Sequence, residues 1–190
     1  MYAPPKHSNV TFNVHSQRHE DRIGALRTGE IDLVLSAEPL VDRYVQSEIV
    51  FTETMVSLVR SKHPTVKSQL KLEQFLELRH VVQQWEGGRQ AVVDQWLQKK
   101  GLKRDCRLQV HSLLDMPPVV ARTNMICSLP SKMAHLVAKS YGLKCFPTPI
   151  PDLKVPAYLS WHVSFADDPG LSWLRRATLA VLEGQALEAW

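Results

Sequence analysis

A chain of 190 residues, 44% hydrophobic and 7% aromatic, has room for one ordinary domain or two small lobes around a buried core. Its formal charge of +4 is mild and contains no long single-sign block, and no apolar run reaches the length of a bilayer span. Cys106, Cys127 and Cys145 lie far apart, without metal-ligand spacing, and their odd number argues against a disulfide framework; buried, inert thiols in a reducing compartment are expected.

In chain order, Val10, Phe12 and Val14 alternate with Thr11, Asn13 and His15, the period of a strand. Asp21–Thr28 reads as a helix with Ile23 and Leu26 on one face and Gly29 as its stop. Ile31, Leu33, Val34 and Leu35 then form a nearly continuous apolar run, the pattern of a parallel strand buried on both faces, and the three pieces make a right-handed βαβ unit. Ile49–Phe51 is expected to add a short strand. Met55–Arg60 is too short for a core helix and rich in β-branched residues, so it reads as a buried strand; Lys62-His63-Pro64 breaks it. Further on, Leu70–Leu78 is a helix, His80–Gln84 a strand, Trp85–Arg89 a turn, and Ala91–Lys100 a helix built on the Val92/Trp96 and Val93/Leu97 pairs. Leu108 and Val110 mark a strand. Ser112 and Asp115 have capping-box-like spacing, but a helix start at Pro117 competes with it. Met125–Leu129 is a strand, Ser131 caps a helix ended by Gly142, Leu143–Phe146 is a strand, and Pro147, Pro149 and Pro151 stiffen the connector to a strand at Ala157–His162. Asp168-Pro169 starts a last helix, Leu171–Leu182, closed by Gly184.

Two arrangements fit this order. Met55–Arg60 and the strand near Trp161 are two crossings between α/β lobes with a cleft beneath them, or all strands belong to one continuous sheet.

Candidate chemistry is sparse. Gly87-Gly88 lies between a strand and a helix, where free N–H groups attract anions, although it is neither a P-loop nor a dinucleotide fingerprint. His111, Ser112 and Asp115 are close in sequence without the geometry a triad requires, and no nucleophile elbow or zinc helix occurs. The cluster Lys99, Lys100, Lys103 and Arg104 is a nucleic-acid patch or, as the flanking Gly101 argues, cations at a helix end. Met1 is followed by Tyr-Ala-Pro-Pro-Lys, not a secretory signal, so a soluble, cytoplasmic protein is expected.

The order of several motifs resembles the effector-binding domain of LysR-type transcriptional regulators, in the branch of nodulation, salicylate and nitroaromatic regulators. They are Leu26–Leu35, Thr54–Pro64, Ile126–Pro130, Trp161-His162 and the stretch Asp168-Pro169-Gly170-Leu171-Ser172-Trp173-Leu174-Arg175-Arg176. The resemblance covers essentially the whole chain. It implies an α/β fold with two Rossmann-like lobes of the type II periplasmic-binding-protein kind, joined by two crossing strands. Lobe I comprises residues 1–60 with 155–190, and lobe II residues 61–154. It further implies a small aromatic or carboxylate-bearing effector in the inter-lobe cleft, no cofactor, no metal, no catalysis, no membrane, and a homodimer or tetramer formed through the regulatory domains, with Asp21–Thr28 and the strand after it at the interface. By position, Ser36, Gln84, Trp85, Gly87, Gly88, Ser112, Thr123, Asn124 and His162 are implied to line the cleft. The chain departs from the family in two ways: the N-terminal helix-turn-helix, through which DNA would be bound, and the first strand and helix of lobe I have no counterpart in it. A solute-binding protein of the same fold is the alternative.

Overall fold

The apolar run that breaks at Lys62 is one end of a 16-residue strand. The computed structural model describes residues 10–15, 19–84 and 91–182. Among them the elements follow in the order α1 (His19–Thr28), β1 (Val34–Ser36), β2 (Val45–Arg60), α2 (Leu72–Glu77), β3 (Arg79–Gln83), α3 (Val92–Lys99), β4 (Asp105–Val110), α4 (Met116–Arg122), β5 (Cys127–Pro130), α5 (Ser131–Tyr141), β6 (Leu143–Pro147), β7 (Lys154–His162) and α6 (Pro169–Leu182). The chain divides into two units, Met1–Phe51 with Pro156–Trp190, and Thr52–Val155. β2 and β7 both run through the points of division, and the strand order is β1-β7-β2-β5 with β6 also on β2.

In the first unit, Leu26, Val34, Leu40 and Val45 form a small core with Ile23 and Ile31 against it. α1 stops where Gly29 adopts a φ of 72°, a left-handed conformation that glycine reaches without a Cβ clash. β1 pairs antiparallel with β7 from Val34↔Ser160 to Ser36↔Tyr158. α6 starts as its sequence says: Asp168 Oδ1 accepts from Leu171 N at 2.8 Å, and Pro169 is its first residue.

Two expectations fail in this unit. Residues 10–15 form no strand; all are exposed, Val14 at 94%, although Phe12 meets the Trp173 ring at 6.1 Å. Alternation sets which way side chains point, but a strand also needs ladder pairing of its N–H and C=O groups, and residues 10–15 are in no strand of the described sheets. β1 is likewise not a parallel strand buried on both faces. Its partner is the antiparallel β7, and Leu35 is 49% exposed while Val34 is buried. The βαβ unit expected over residues 10–35 is therefore not formed among the described residues.

In the second unit, β2 lies between β5 (Met55↔Pro130 to Leu58↔Cys127) and β6 (Val56↔Pro147 to Arg60↔Leu143), both antiparallel. Its side chains alternate between two cores. Val56 and Leu58 pack with Met116, Val120, Ala134, Val137 and Ala138 of α4 and α5. Val59 packs with Phe75, Val93 and Leu97 of α2 and α3. Helices on both faces explain why the run reads as continuously apolar. β2 starts at Val45, so Ile49–Phe51 is part of it and not a separate strand. β3 and β4 are parallel, joined through α3, and His80 bridges Ile126, also in parallel. Gly101 (φ 69°) and Gly142 (φ 63°) end α3 and α5.

Three local readings change here. Ser131 is the first residue of α5 and not its cap; the cap position is Pro130, which has no side-chain bond to offer. Ser112 caps a 3-10 turn, Leu113–Asp115, by accepting from Leu114 N at 3.2 Å, and α4 follows with its prolines in the first turn. Cys106 is exposed, whereas Cys127 is buried and its thiol is pushed up to about 12 by that burial. Gly184 lies outside the described residues.

Candidate functional site

Parallel strands that end together leave backbone groups and loop side chains facing a common space at their carboxyl ends. In the second unit that end is defined by Gln83↔Val110. Just beyond it, Gln84 N donates to Val110 O at 2.7 Å, and Gln83 Nε2 donates to His111 O at 3.0 Å. Gln84, His111, Ser112, Leu114 and Asp115 are exposed there. Two amide side chains, one hydroxyl, the His111 ring and the Asp115 carboxylate make a polar hydrogen-bonding edge. Ser112 Oγ is engaged by Leu114 N, so the His111/Ser112/Asp115 neighbourhood has the bonding of a turn and not of a nucleophile relay.

The residues expected to share one site are distributed as follows. Gln84 and Ser112 come together at the carboxyl ends of β3 and β4. Thr123 and Asn124 do not join them: α4 runs back from that end, and both follow it, two or three residues before Ile126, beside the start of β3. Their side chains are used locally. Thr123 Oγ1 donates to Val119 O at 3.0 Å and accepts from Met125 N at 3.1 Å. Asn124 Oδ1 accepts from Arg60 Nε at 2.8 Å, and Asn124 O meets Nε2 of the buried His63 at 3.0 Å. Trp85, Gly87 and Gly88 lie outside the described residues. In the first unit, Ser36 donates to Glu38 O at 2.6 Å and sits opposite Tyr158. His162 is four residues further along β7, stacked on Tyr44 at 6.0 Å, with Nδ1 accepting from Ser164 N. Ser36 and His162 thus lie at opposite ends of the β1–β7 pair. Trp161 is buried, with the Arg175 guanidinium 4.3 Å over its ring, and so is a core residue.

Asn124→Ala is expected to lower stability by about 1 kcal/mol, the worth of the Arg60 bond, while leaving binding at the Gln84/Ser112 end unchanged. Urea unfolding paired with a ligand titration checks both halves; a loss of affinity without a loss of stability would contradict the structural role.

Sequence reading missed three features. Gln83, rather than Gln84, turns its amide onto the β4 loop. His63 is a buried clamp whose Nδ1 accepts from Val66 N at 3.1 Å. A further recess of about 330 Å³ lies between Thr54–Val56 of β2 and the connector Pro147–Lys154, floored by Met55, Ile150 and Leu153. No group of three or more His, Cys, Asp or Glu among the described residues is arranged to hold a metal.

Comparison with known proteins gives a consistent picture. The family model described as LysR substrate binding domain matches residues 5–183. The HTH-type transcriptional regulator PhcA of Ralstonia nicotianae is 33% identical over 168 residues, 84% of this chain and 48% of the relative. A putative transcriptional regulator from Vibrio parahaemolyticus has a similar structure, with TM-score 0.79 and 26% identity, covering 93% of this chain and 83% of that one. The BenM effector binding domain, solved with its effector benzoate, has TM-score 0.69 at 15% identity, covering 90% and 79%; that likeness shows the fold alone. The chain spans about half the length of the curated relatives it matches. No helix among the described residues is long and apolar enough to cross a membrane.

Proposed function

Because the chain belongs to the LysR substrate-binding-domain family, we propose that it is the effector-sensing part of a cytoplasmic LysR-type transcriptional regulator, without catalysis, in which binding of a small molecule biases the DNA-bound state of the whole protein. Its fold is that of LysR effector-binding domains, α/β with two crossing strands, the type II periplasmic-binding-protein kind. The observation that carries the proposal is the shared carboxyl end of the parallel β3–β4 pair, where the side chains of Gln84 and Ser112 are both exposed. A small aromatic or carboxylate-bearing molecule fits that edge, and benzoate is the effector named for the similarly folded BenM domain. DNA contact is assigned to the part of a full-length regulator outside this match, and assembly to a dimer or tetramer of such chains.

Titration with benzoate and a panel of substituted benzoates, followed by thermal unfolding and calorimetry, tests this. Saturable binding is expected, and Gln84→Ala and Ser112→Ala are each expected to weaken it roughly tenfold, the loss of one hydrogen bond of about 1.5 kcal/mol. No binding across the panel, or unchanged affinity in both variants, overturns the assignment.

A further inference from the structure

We infer that Glu53 of β2 is a built-in anion that closes the N-terminus of α5 and so decides which charge an effector can present at this end of the second unit. The inference rests on the effector-binding reading for its functional half.

α5 has eleven residues and begins without help from its own sequence. Its cap position is Pro130, no side chain of its own satisfies its first N–H groups, and its first turn contains no acid. Its second residue is Lys132, a cation where the helix dipole favours an anion. The missing partner arrives from 79 residues away: Glu53 Oε2 accepts from Lys132 N at 3.1 Å and lies 3.4 Å from Ser131 Oγ. Glu53 is 8% exposed, so its carboxylate is held there and not in solvent. The register explains how it gets there. β2 pairs with β5 up to Met55↔Pro130, so Glu53, two residues back, faces the first residues of the helix that β5 becomes.

The place matters. β3 runs parallel to Ile126 and to β4. The chain from Ile126 through β5 therefore leads to α5 at the same end as Gln84 and Ser112. An uncapped helix N-terminus at that end would be a ready anion site. Glu53 already occupies it through Lys132 N, so an acidic effector group is turned away from α5. Glu53 also precedes, by one residue, the recess lined by Thr54–Val56, and it lies beside Thr52, where β2 leaves the second unit. It thus fixes the start of the crossing stretch of β2 to α5. It is a positioning residue.

The test compares wild type with Glu53→Ala and the isosteric Glu53→Gln by thermal unfolding in increasing sodium acetate or sodium sulfate, against sodium chloride at matched ionic strength. Both variants should unfold at lower temperature, by about 2–4 °C for each 1 kcal/mol of capping lost. Acetate should return part of that shift in Glu53→Ala alone, because a free carboxylate then enters the vacated position; a purely structural substitution gives no such specific rescue. If acetate raises the wild type and Glu53→Ala equally, or rescues neither beyond chloride, the closed-anion-site inference is wrong. Should Glu53→Ala fail to fold, Glu53→Gln decides: it keeps the shape and loses the charge, so its deficit against wild type should shrink as sodium chloride rises and screens the charge–dipole attraction, and a deficit independent of salt overturns the inference. The effector half is read separately, as the ratio of benzoate to benzamide affinity, which should rise in Glu53→Gln. An unchanged ratio with measurable binding rejects the charge-selection role. Absence of any binding by either molecule, with acetate rescue intact, rejects the effector assignment and leaves the cap standing.

Discussion

Asp94→Ala is expected to destabilise the second unit by about 3–5 kcal/mol, and to lower the unfolding temperature of the chain by roughly 10 °C. Asp94 in α3 receives both arms of the Arg104 guanidinium, Nε to Oδ1 and Nη2 to Oδ2, each at 2.7 Å. The Arg104 side chain is only 3% exposed. Removing the carboxylate strips a largely buried guanidinium of its bidentate partner, so the cost exceeds that of a surface ion pair, while the 29% exposure of Asp94 keeps it at the lower end of the range for a buried one. The double variant Asp94→Leu with Arg104→Met removes both charges and is expected to recover most of the loss. Urea unfolding of Asp94→Leu, Arg104→Met and the double forms a cycle that measures the coupling. Additive singles, with no recovery in the double, would show that Asp94 acts through helix α3 alone.

Arg104 also shows why part of this chemistry was not legible in the sequence. Beside Lys99, Lys100 and Lys103 it reads as one more cation at a helix end, and Gly101, with its φ of 69°, does end that helix. What separates Arg104 from its neighbours is a partner ten residues away across the helix stop, a spacing that no helical or strand period marks. Elements with strong local signals were legible for the converse reason. The stretch Val56–Val59 is buried between two cores, and Asp168-Pro169 carries its own cap. Val10–Val14 had the local signal but form no strand.

Expected site residues come together where order along the chain fixes position in space. Gln84 and Ser112 follow parallel strands and share an end because the strands do. Thr123 and Asn124 follow a helix that runs the other way and so lie beside the start of β3, where Thr123 closes the α4–β5 turn and Asn124 accepts from Arg60 of β2. Glu53 had no sequence signal at all, since its partners Ser131 and Lys132 meet it only through the β2–β5 register.

The same network makes acid unfolding of the second unit steeper than its carboxylates alone require. His80 is fully buried, and its imidazole is pushed down from 6.5 to about 4, first by that burial and next by the Arg104 guanidinium, against the opposing pull of the Phe75 carbonyl and of Asp94 and Asp105. Nε2 donates to Phe75 O at 2.7 Å, and Nδ1 faces Arg104 Nη1 at 3.4 Å, so the neutral ring with its proton on Nε2 satisfies both neighbours. A second proton on Nδ1 would meet a cation. The unfolded chain takes up that proton near 6.5 and the folded chain only near 4, so the stability His80 contributes is fully present above about pH 6.5. It is lost progressively as pH falls to about 4, and the displacement is worth about 3 kcal/mol. His80→Gln keeps a donor for the Phe75 carbonyl and removes the titration. Urea midpoints measured from pH 7.5 to 4 should therefore fall less steeply in His80→Gln than in wild type, whatever the offset between the two at pH 7.5. Parallel curves through that window would show that His80 titrates no differently in the folded and unfolded chains.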